Sequence, residues 1–239
     1  MEAITDIIEG NPVGVLEYAL FKAIQSQEYK VASYLISQGV NVNIKYDNRS
    51  LLCLIIEQNS ITYSTYLKPF LPLNQECIKI VTHIISVIDI NEQDVDGKTC
   101  LMKACSNEHT RDIAIMLITH PSIDINIQDY RGNTALMCAS EMYPSGTYDA
   151  INIEYRQDVM KLLIYHGADI NVTTYCKNFT ALNLAGENGR FILSEYIKYI
   201  SKIKMLLKYL GLDNLYYIIR RIIKFSDIGD FDLKEYTYK

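Results

Sequence analysis

The tripeptide Asp-Ile-Asn stands at residues 89–91, 124–126 and 169–171, with a weaker copy at Asn41-Val42-Asn43. Each copy is followed seven to nine residues later by Thr or Ser and then Leu: Ser50/Leu52, Thr99/Leu101, Thr134/Leu136 and Thr180/Leu182. Short motifs recurring in fixed order every few tens of residues specify a row of like units, none of which buries its apolar side alone. Such a chain is confined to a linear stack, in which each unit covers its neighbour. Its 239 residues therefore need not share a single core. Stacks of this kind bind partners far more often than they catalyse.

The clearest unit runs from Asp96-Gly97-Lys98-Thr99 through Leu101-Met102-Lys103-Ala104 and a second apolar run, Ile113 to Ile118, to Asp124-Ile125-Asn126. The next restarts at Arg131-Gly132-Asn133-Thr134, 35 residues from Thr to Thr. Thr or Ser ahead of an apolar run is a helix N-cap, its hydroxyl accepting an orphan N–H. Leu two residues on and Ala five on (Leu101/Ala104, Leu136/Ala139, Leu182/Ala185) share one helical face, the Ala admitting a neighbouring helix closely. Gly97 and Gly132, with Asn48 and Asn178 at the matching places, suit a turn with positive φ. Gly39 and Gly167 are expected to end second helices as left-handed C-caps.

These marks resemble the ankyrin repeat, whose pattern is Asp-x-x-Gly-x-Thr-Pro-Leu-His-x-Ala, a second helix, then Gly-Ala-Asp-Val-Asn. The closest segment is Leu162-Leu163-Ile164-Tyr165-His166-Gly167-Ala168-Asp169-Ile170-Asn171. The resemblance covers most of residues 14–191. It implies an all-α fold: an ankyrin-repeat solenoid of stacked helix pairs with short β-turn fingers and a helical C-terminal cap. Residues 1–13 are expected to form an N-terminal capping segment, with 2–9 a solvated half-helix. About five repeats fill 14–191, with insertions at 60–75 and 143–154 leaving the edge opposite the fingers. Residues 192–239 are expected to be a helical cap and tail. The Pro after Thr is missing throughout, and the family's His three after Thr is replaced by Cys53, Met102, Met137 and Asn183. That His stitches repeats together, so its loss predicts a stack held more by apolar packing.

Catalytic chemistry finds little support. The four histidines (83, 109, 120, 166) fall at helix ends or loops, where His120 and His166 suit a helix C-terminus. Gly-Lys-Thr at 97–99 lacks the upstream glycine of a phosphate loop. No enzyme activity, cofactor or metal is expected. Six cysteines without a Cys-x-x-Cys pair predict reduced thiols of an intracellular protein, not a zinc site. A net charge of −5 argues against general affinity for nucleic acid. No apolar run reaches the roughly 20 residues of a membrane helix, and the first residues lack the pattern of a signal peptide. A monomer in the cytoplasm is expected. Chain length, divergent repeats and heavy use of Ile, Tyr, Asn and Lys resemble the short ankyrin proteins of large AT-rich DNA viruses, and ankyrin effectors of intracellular bacteria resemble the chain as well. Either source implies the cytoplasm of a host cell and a host protein as partner.

The resemblance places partner binding on finger tips and on the concave face of the first helices. The finger candidates are Tyr46, Asp47, Arg49, Asp96, Lys98, Tyr130, Arg131, Asn133, Tyr175 and Lys177. Aromatic and Arg side chains supply most of the energy at interfaces. Gln25, Glu57, Ser106, Glu141 and Glu187 add a partly acidic concavity. The spacing from Leu163 to Asn171 also fits asparagines that an intracellular asparaginyl hydroxylase modifies in such repeats, which makes Asn171 a candidate. A competing reading gives the activity to residues 192–239; the stretch 190–224 holds eight basic residues against two acidic ones, Glu195 and Asp213. That segment would bind RNA or an anionic membrane surface, with the repeats only delivering it.

Overall fold

The computed structural model describes residues 14–46, 49–61, 73–141, 150–185 and 193–195, and the single positions 198, 202, 205 and 209. The expected capping segment 1–13, Asp47, Asn48, Glu187, most of both insertions and most of 192–239 lie outside the described residues.

Nine α-helices are described: α1 (Val15–Gln25), α2 (Tyr29–Ser37), α3 (Leu51–Ile61), α4 (Gln75–Val87), α5 (Cys100–Cys105), α6 (Arg111–Ile118), α7 (Ala135–Ser140), α8 (Ala150–Tyr165) and α9 (Ala181–Leu184). They pack in two files. The first helices follow the order α1, α3, α5, α7, α9, and the second helices the order α2, α4, α6, α8, each touching its neighbours in the file. Within a unit the two helices also pack on each other, as α1 does on α2, α5 on α6 and α7 on α8. This is an all-α repeat fold, and its contacts run between adjacent units.

The N-caps explain where the first helices begin. The hydroxyls of Ser50, Thr99 and Thr134 accept from the N–H groups of Cys53, Met102 and Met137 at 3.2, 3.3 and 3.4 Å. Thr180 is handled differently: Asn183 Oδ1 accepts from both its N–H (2.8 Å) and its hydroxyl (2.9 Å). Leu52, Leu101 and Leu136 are buried, as are Ala104, Ala139 and Ala185, while Leu182 is half-buried. Each fully buried Leu contributes about 1.5–3 kcal/mol of burial. The small alanines leave room for the next helix of the file.

Gly39 and Gly167 close α2 and α8 with positive φ, as expected. A third helix ends the same way without a glycine. Gln27 has φ 59°, and the N–H groups of Gln27 and Glu28 bond back to Ile24 and Ala23 at 3.0 and 2.8 Å. The paired backbone bonds of that motif hold a side-chain-bearing residue in the left-handed region.

The Asp-Ile-Asn copies are now intelligible. Asp89, Asp124 and Asp169 each accept, through Oδ1, the N–H two residues on, at 3.0, 3.0 and 2.9 Å. Such local carboxylate bonds make tight turns. Ile90 and Ile125 are buried in the core. The Asn side chain then grips the following turn. Asn91 donates to Ser122 O (2.8 Å) and accepts from Asp124 N–H (2.8 Å). Asn126 repeats this with Gly167 O (3.2 Å) and Asp169 N–H (2.7 Å).

Two expectations need correcting. Cohesion between units does not rest on apolar packing alone: one apolar core runs through the described units, and carboxamides ahead of the fingers add hydrogen bonds from unit to unit. Gln93 Nε2 donates to Gly97 O in its own finger (2.6 Å) and to Gln128 O in the next unit (2.9 Å). Gln128 Nε2 does the same with Gly132 O (2.8 Å) and Thr173 O (3.0 Å). Nor are all six cysteines thiols. Cys53 of α3 and Cys100 of α5 form a disulfide with a Cα–Cα separation of 5.5 Å, whereas Cys77, Cys105, Cys138 and Cys176 are free. Spacing could not reveal the pair, since 47 residues separate its members in sequence and only stacking brings them together.

Candidate functional site

Four turns project along one edge of the stack. Finger 1 is the two-stranded ribbon β1 (Lys45–Tyr46) and β2 (Arg49–Ser50), paired Lys45 with Ser50 and Tyr46 with Arg49. Fingers 2, 3 and 4 are closed by the backbone bonds Asp94 N–H to Lys98 O (2.9 Å), Asp129 N–H to Asn133 O (2.9 Å) and Thr174 N–H to Phe179 O (2.9 Å). Adjacent fingers are joined along the edge: Tyr130 N–H donates to Asp96 O (3.2 Å), and Tyr175 N–H to Arg131 O (3.0 Å).

The first residue of a finger organises it. Asp129 is almost wholly buried, and its carboxylate accepts the N–H groups of Arg131 (2.9 Å) and Asn133 (2.7 Å) and the Asn133 side-chain amide (3.0 Å). Asp94 likewise accepts from the N–H groups of Asp96 (2.9 Å) and Lys98 (2.8 Å). Neither aspartate was among the residues singled out from sequence, although Asp three residues before Gly was a usable turn signal. Glycine is required at the tip for two reasons. Gly132 has φ +85°, and a Cβ there would lie 2.7 Å from Tyr175 N and 2.9 Å from Thr174 Cα. Gly97, at φ +76°, would strike the Tyr130 ring at 2.6 Å. The fingers thus stack too closely for any side chain at that place.

With the scaffold so satisfied, the next residue of fingers 2, 3 and 4 points outward. Val95, Tyr130 and Tyr175 are 70%, 69% and 61% exposed, forming one row along the edge. Asp96, Arg131 and Lys177 are exposed beside them, and Lys177 Nζ lies 5.6 Å from the Phe179 ring centroid. Val95 and Phe179 were missed in the sequence reading.

Other candidates are placed differently. Tyr46 is half-buried and packs on Phe21 of α1, ring centroids 4.3 Å apart, with Tyr18 at 5.8 Å. It serves as a brace between finger 1 and α1. Asn133 is half-buried against Asp129 and shapes its finger. Lys98 is half-buried, its N–H and C=O both bonded to Asp94. Asp47 and Glu187 lie outside the described residues.

The first helices carry compensated charge where a partly acidic concavity was expected. Glu57 bonds Arg49 (3.2 Å) and Lys103 (3.1 Å), and Lys103 also bonds Asp94 (2.9 Å). Burial pushes the Asp94 carboxyl up, but Lys103 and the N–H groups of Lys98 and Asp96 more than offset it, leaving it below the usual range. Burial likewise depresses Lys103, and its bonds to Asp94 and Glu57 outweigh that, so its ammonium is held above its ordinary value. Arg49 and Glu57 are therefore part of a charge chain joining units. Ser106 bonds Met102 O (2.9 Å), Gln25 accepts from Lys22 (2.9 Å), and Glu141 is exposed, bridging in backbone to Ala185.

Asn171 is exposed, and its amide donates to Asp169 Oδ1 (3.1 Å) within its own turn. It thus differs from Asn91 and Asn126, which reach forward. Of the basic segment, Lys198 and Lys202 are described and exposed, Lys198 bonding Glu195 (2.8 Å). Among the described residues, no group of His, Cys, Asp and Glu could hold a metal ion. No described helix is long and apolar enough to cross a membrane.

A repeat protein with a braced edge of outward-facing side chains is the class this geometry defines. The family model for ankyrin repeats matches residues 73–174 in three copies, the stretch that holds fingers 2 and 3 and both glutamine stitches. No curated protein matches the chain. Ankyrin repeats generally mediate protein–protein interaction and are typically non-catalytic.

Proposed function

We propose that this chain is a non-catalytic interaction module that grips a protein partner along its finger edge and the adjoining concave face. The observation that carries this reading is the row Val95, Tyr130 and Tyr175. These side chains are held in water by fingers whose own backbone bonds are made. An exposed aromatic on a rigid support loses little entropy when a partner covers it. Asp96, Arg131 and Lys177 beside the row supply polar contacts that choose among partners.

In this proposal the molecule is a monomeric ankyrin solenoid of about five repeats over residues 14–191, capped by 1–13 and by helices within 192–239. It works in the cytoplasm. The compositional likeness to short viral ankyrin proteins supports a host protein as the partner. Asn171, exposed and bonded within its own turn, is the proposed hydroxylation site. No added oxygen on Asn171 after exposure to the hydroxylase and its cofactors removes it.

The edge is tested by affinity capture from a host lysate with the unaltered chain and with a folded variant carrying Tyr130→Ala, Arg131→Ala and Tyr175→Ala. A partner lost by at least about tenfold is expected, since anchors of this type each contribute on the order of 2 kcal/mol. Identical recovery by both proteins refutes the finger edge.

A further inference from the structure

We propose that Cys53 and Cys100 are a reversible thiol–disulfide site that locks finger 1 to finger 2, at the junction where the stack has no glutamine stitch. The junctions further along are held by carboxamides: Gln93 and Asn91 bridge the second finger's unit to the third's, and Gln128 and Asn126 bridge the third's to the fourth's. The place corresponding to Gln93 ahead of finger 1 is Ile44, which has no donor and packs against the core. Ion pairs also span this junction: Lys45–Glu92, both of whose side chains are more than two-fifths exposed, contributes little, while the partly buried chain Arg49–Glu57–Lys103–Asp94 ties finger 1 to finger 2 through side chains.

The covalent link stands where the stitch is missing. Cys53 lies three residues after the cap Ser50, and Cys100 one residue after the cap Thr99, so the bridge joins the roots of two adjacent fingers. Its Cα–Cα separation of 5.5 Å is that of an ordinary disulfide. Both cysteines are buried, and Ser50 Oγ lies 3.7 Å from Cys100 Sγ. Burial pushes the Cys77 and Cys138 thiols up to about 11 and holds the Cys105 thiol well above its ordinary value. Among the free cysteines only Cys176, on finger 4, is exposed.

The co-reactant is a small-molecule disulfide such as glutathione disulfide. One cysteine thiolate attacks its S–S bond, giving a mixed disulfide and one released thiol. The second cysteine then displaces the other thiol. Two protein thiols are oxidised to one disulfide, the small disulfide is reduced to two thiols, and the two protons pass to those leaving thiolates. Reduction by excess glutathione reverses each step. The consequence concerns the recognising edge: oxidised, fingers 1 and 2 keep a fixed spacing; reduced, finger 1 with α3, which carries Cys53, shifts against finger 2 and α5.

The test needs no partner, so its failure is separable from failure of the binding reading. A full-length Cys176→Ser chain is equilibrated at a series of glutathione to glutathione disulfide ratios. It is then followed by peptide mapping and by hydrogen exchange. A peptide linked through Cys53 and Cys100 should appear and vanish reversibly. Amides of fingers 1 and 2 (Tyr46, Ser50, Lys98) should exchange at least about tenfold faster when reduced, with less than about twofold change in fingers 3 and 4. Adding Cys53→Ala, or Cys100→Ser where the first does not fold, should remove the response. No linked peptide at any ratio, or equal change across all four fingers, overturns the proposal.

Discussion

Replacing Gln128 by methionine removes two hydrogen bonds while keeping nearly the same side-chain length. Its carboxamide gives one proton to Gly132 O at 2.8 Å, closing its own finger, and one to Thr173 O at 3.0 Å, in the next unit. Each such bond contributes about 0.5–1.5 kcal/mol net, and both acceptors lose a partner, so the expected loss is about 1–3 kcal/mol. For a chain of this size that lowers the midpoint of thermal unfolding by about 2–4 °C per kcal/mol. Gln128→Glu should be worse at neutral pH, because it puts a carboxylate in front of two carbonyl oxygens. Urea and thermal unfolding followed by circular dichroism measure both. Gln93→Met, whose Nε2 reaches Gln128 O at 2.9 Å, should couple to Gln128→Met in a double-mutant cycle by at least about 0.5 kcal/mol. A Gln128→Met protein as stable as the unaltered chain, with no coupling to Gln93, would show that the carboxamide ladder does not hold the units together.

Gly132→Ala should destabilise by about 1–2 kcal/mol from the left-handed backbone alone. Further loss comes from the Cβ contact with Tyr175 N, and a neutral result in urea unfolding would contradict the close finger stacking. Thr134→Ala should cost about 1 kcal/mol through the lost cap on α7, read from the same unfolding curves. The Lys103 junction should show in the pH profile. Asp94 is lowered in the folded protein, so its contribution is complete above its unfolded value and is lost as pH falls through the folded one. Lys103 is raised, so its contribution is complete below its unfolded value and is lost as pH rises through the folded one. Lys103→Met should remove about 1–3 kcal/mol at neutral pH and flatten both limbs. Unchanged stability from acid to alkaline pH would refute the charge chain.

Much of the fold was legible because its determinants are local. A hydroxyl ahead of an apolar run caps a helix in any context, so Ser50, Thr99 and Thr134 announced α3, α5 and α7. Gly97 and Gly132 announced turns because their backbone conformation excludes other residues. The outward aromatics Tyr130 and Tyr175 could be named for the same reason, as turn residues with no helix to join. Tyr46 and Asn133 also have internal roles that sequence does not display: from sequence an aromatic or amide in a turn looks free, and only the structure shows packing on Phe21 or bonding to Asp129.

What the sequence by itself determined is the unit: its caps, turns, buried leucines and alanines, and the period at which they return. What only the tertiary structure decided is how units hold one another. The pairing of Cys53 with Cys100, the reach of Gln93 and Gln128 into the next finger, and the charge chain from Arg49 to Asp94 all join residues from neighbouring units. Such contacts depend on the separation and rotation of stacked helices, which no window of sequence contains. They also set which finger side chains remain free to meet a partner.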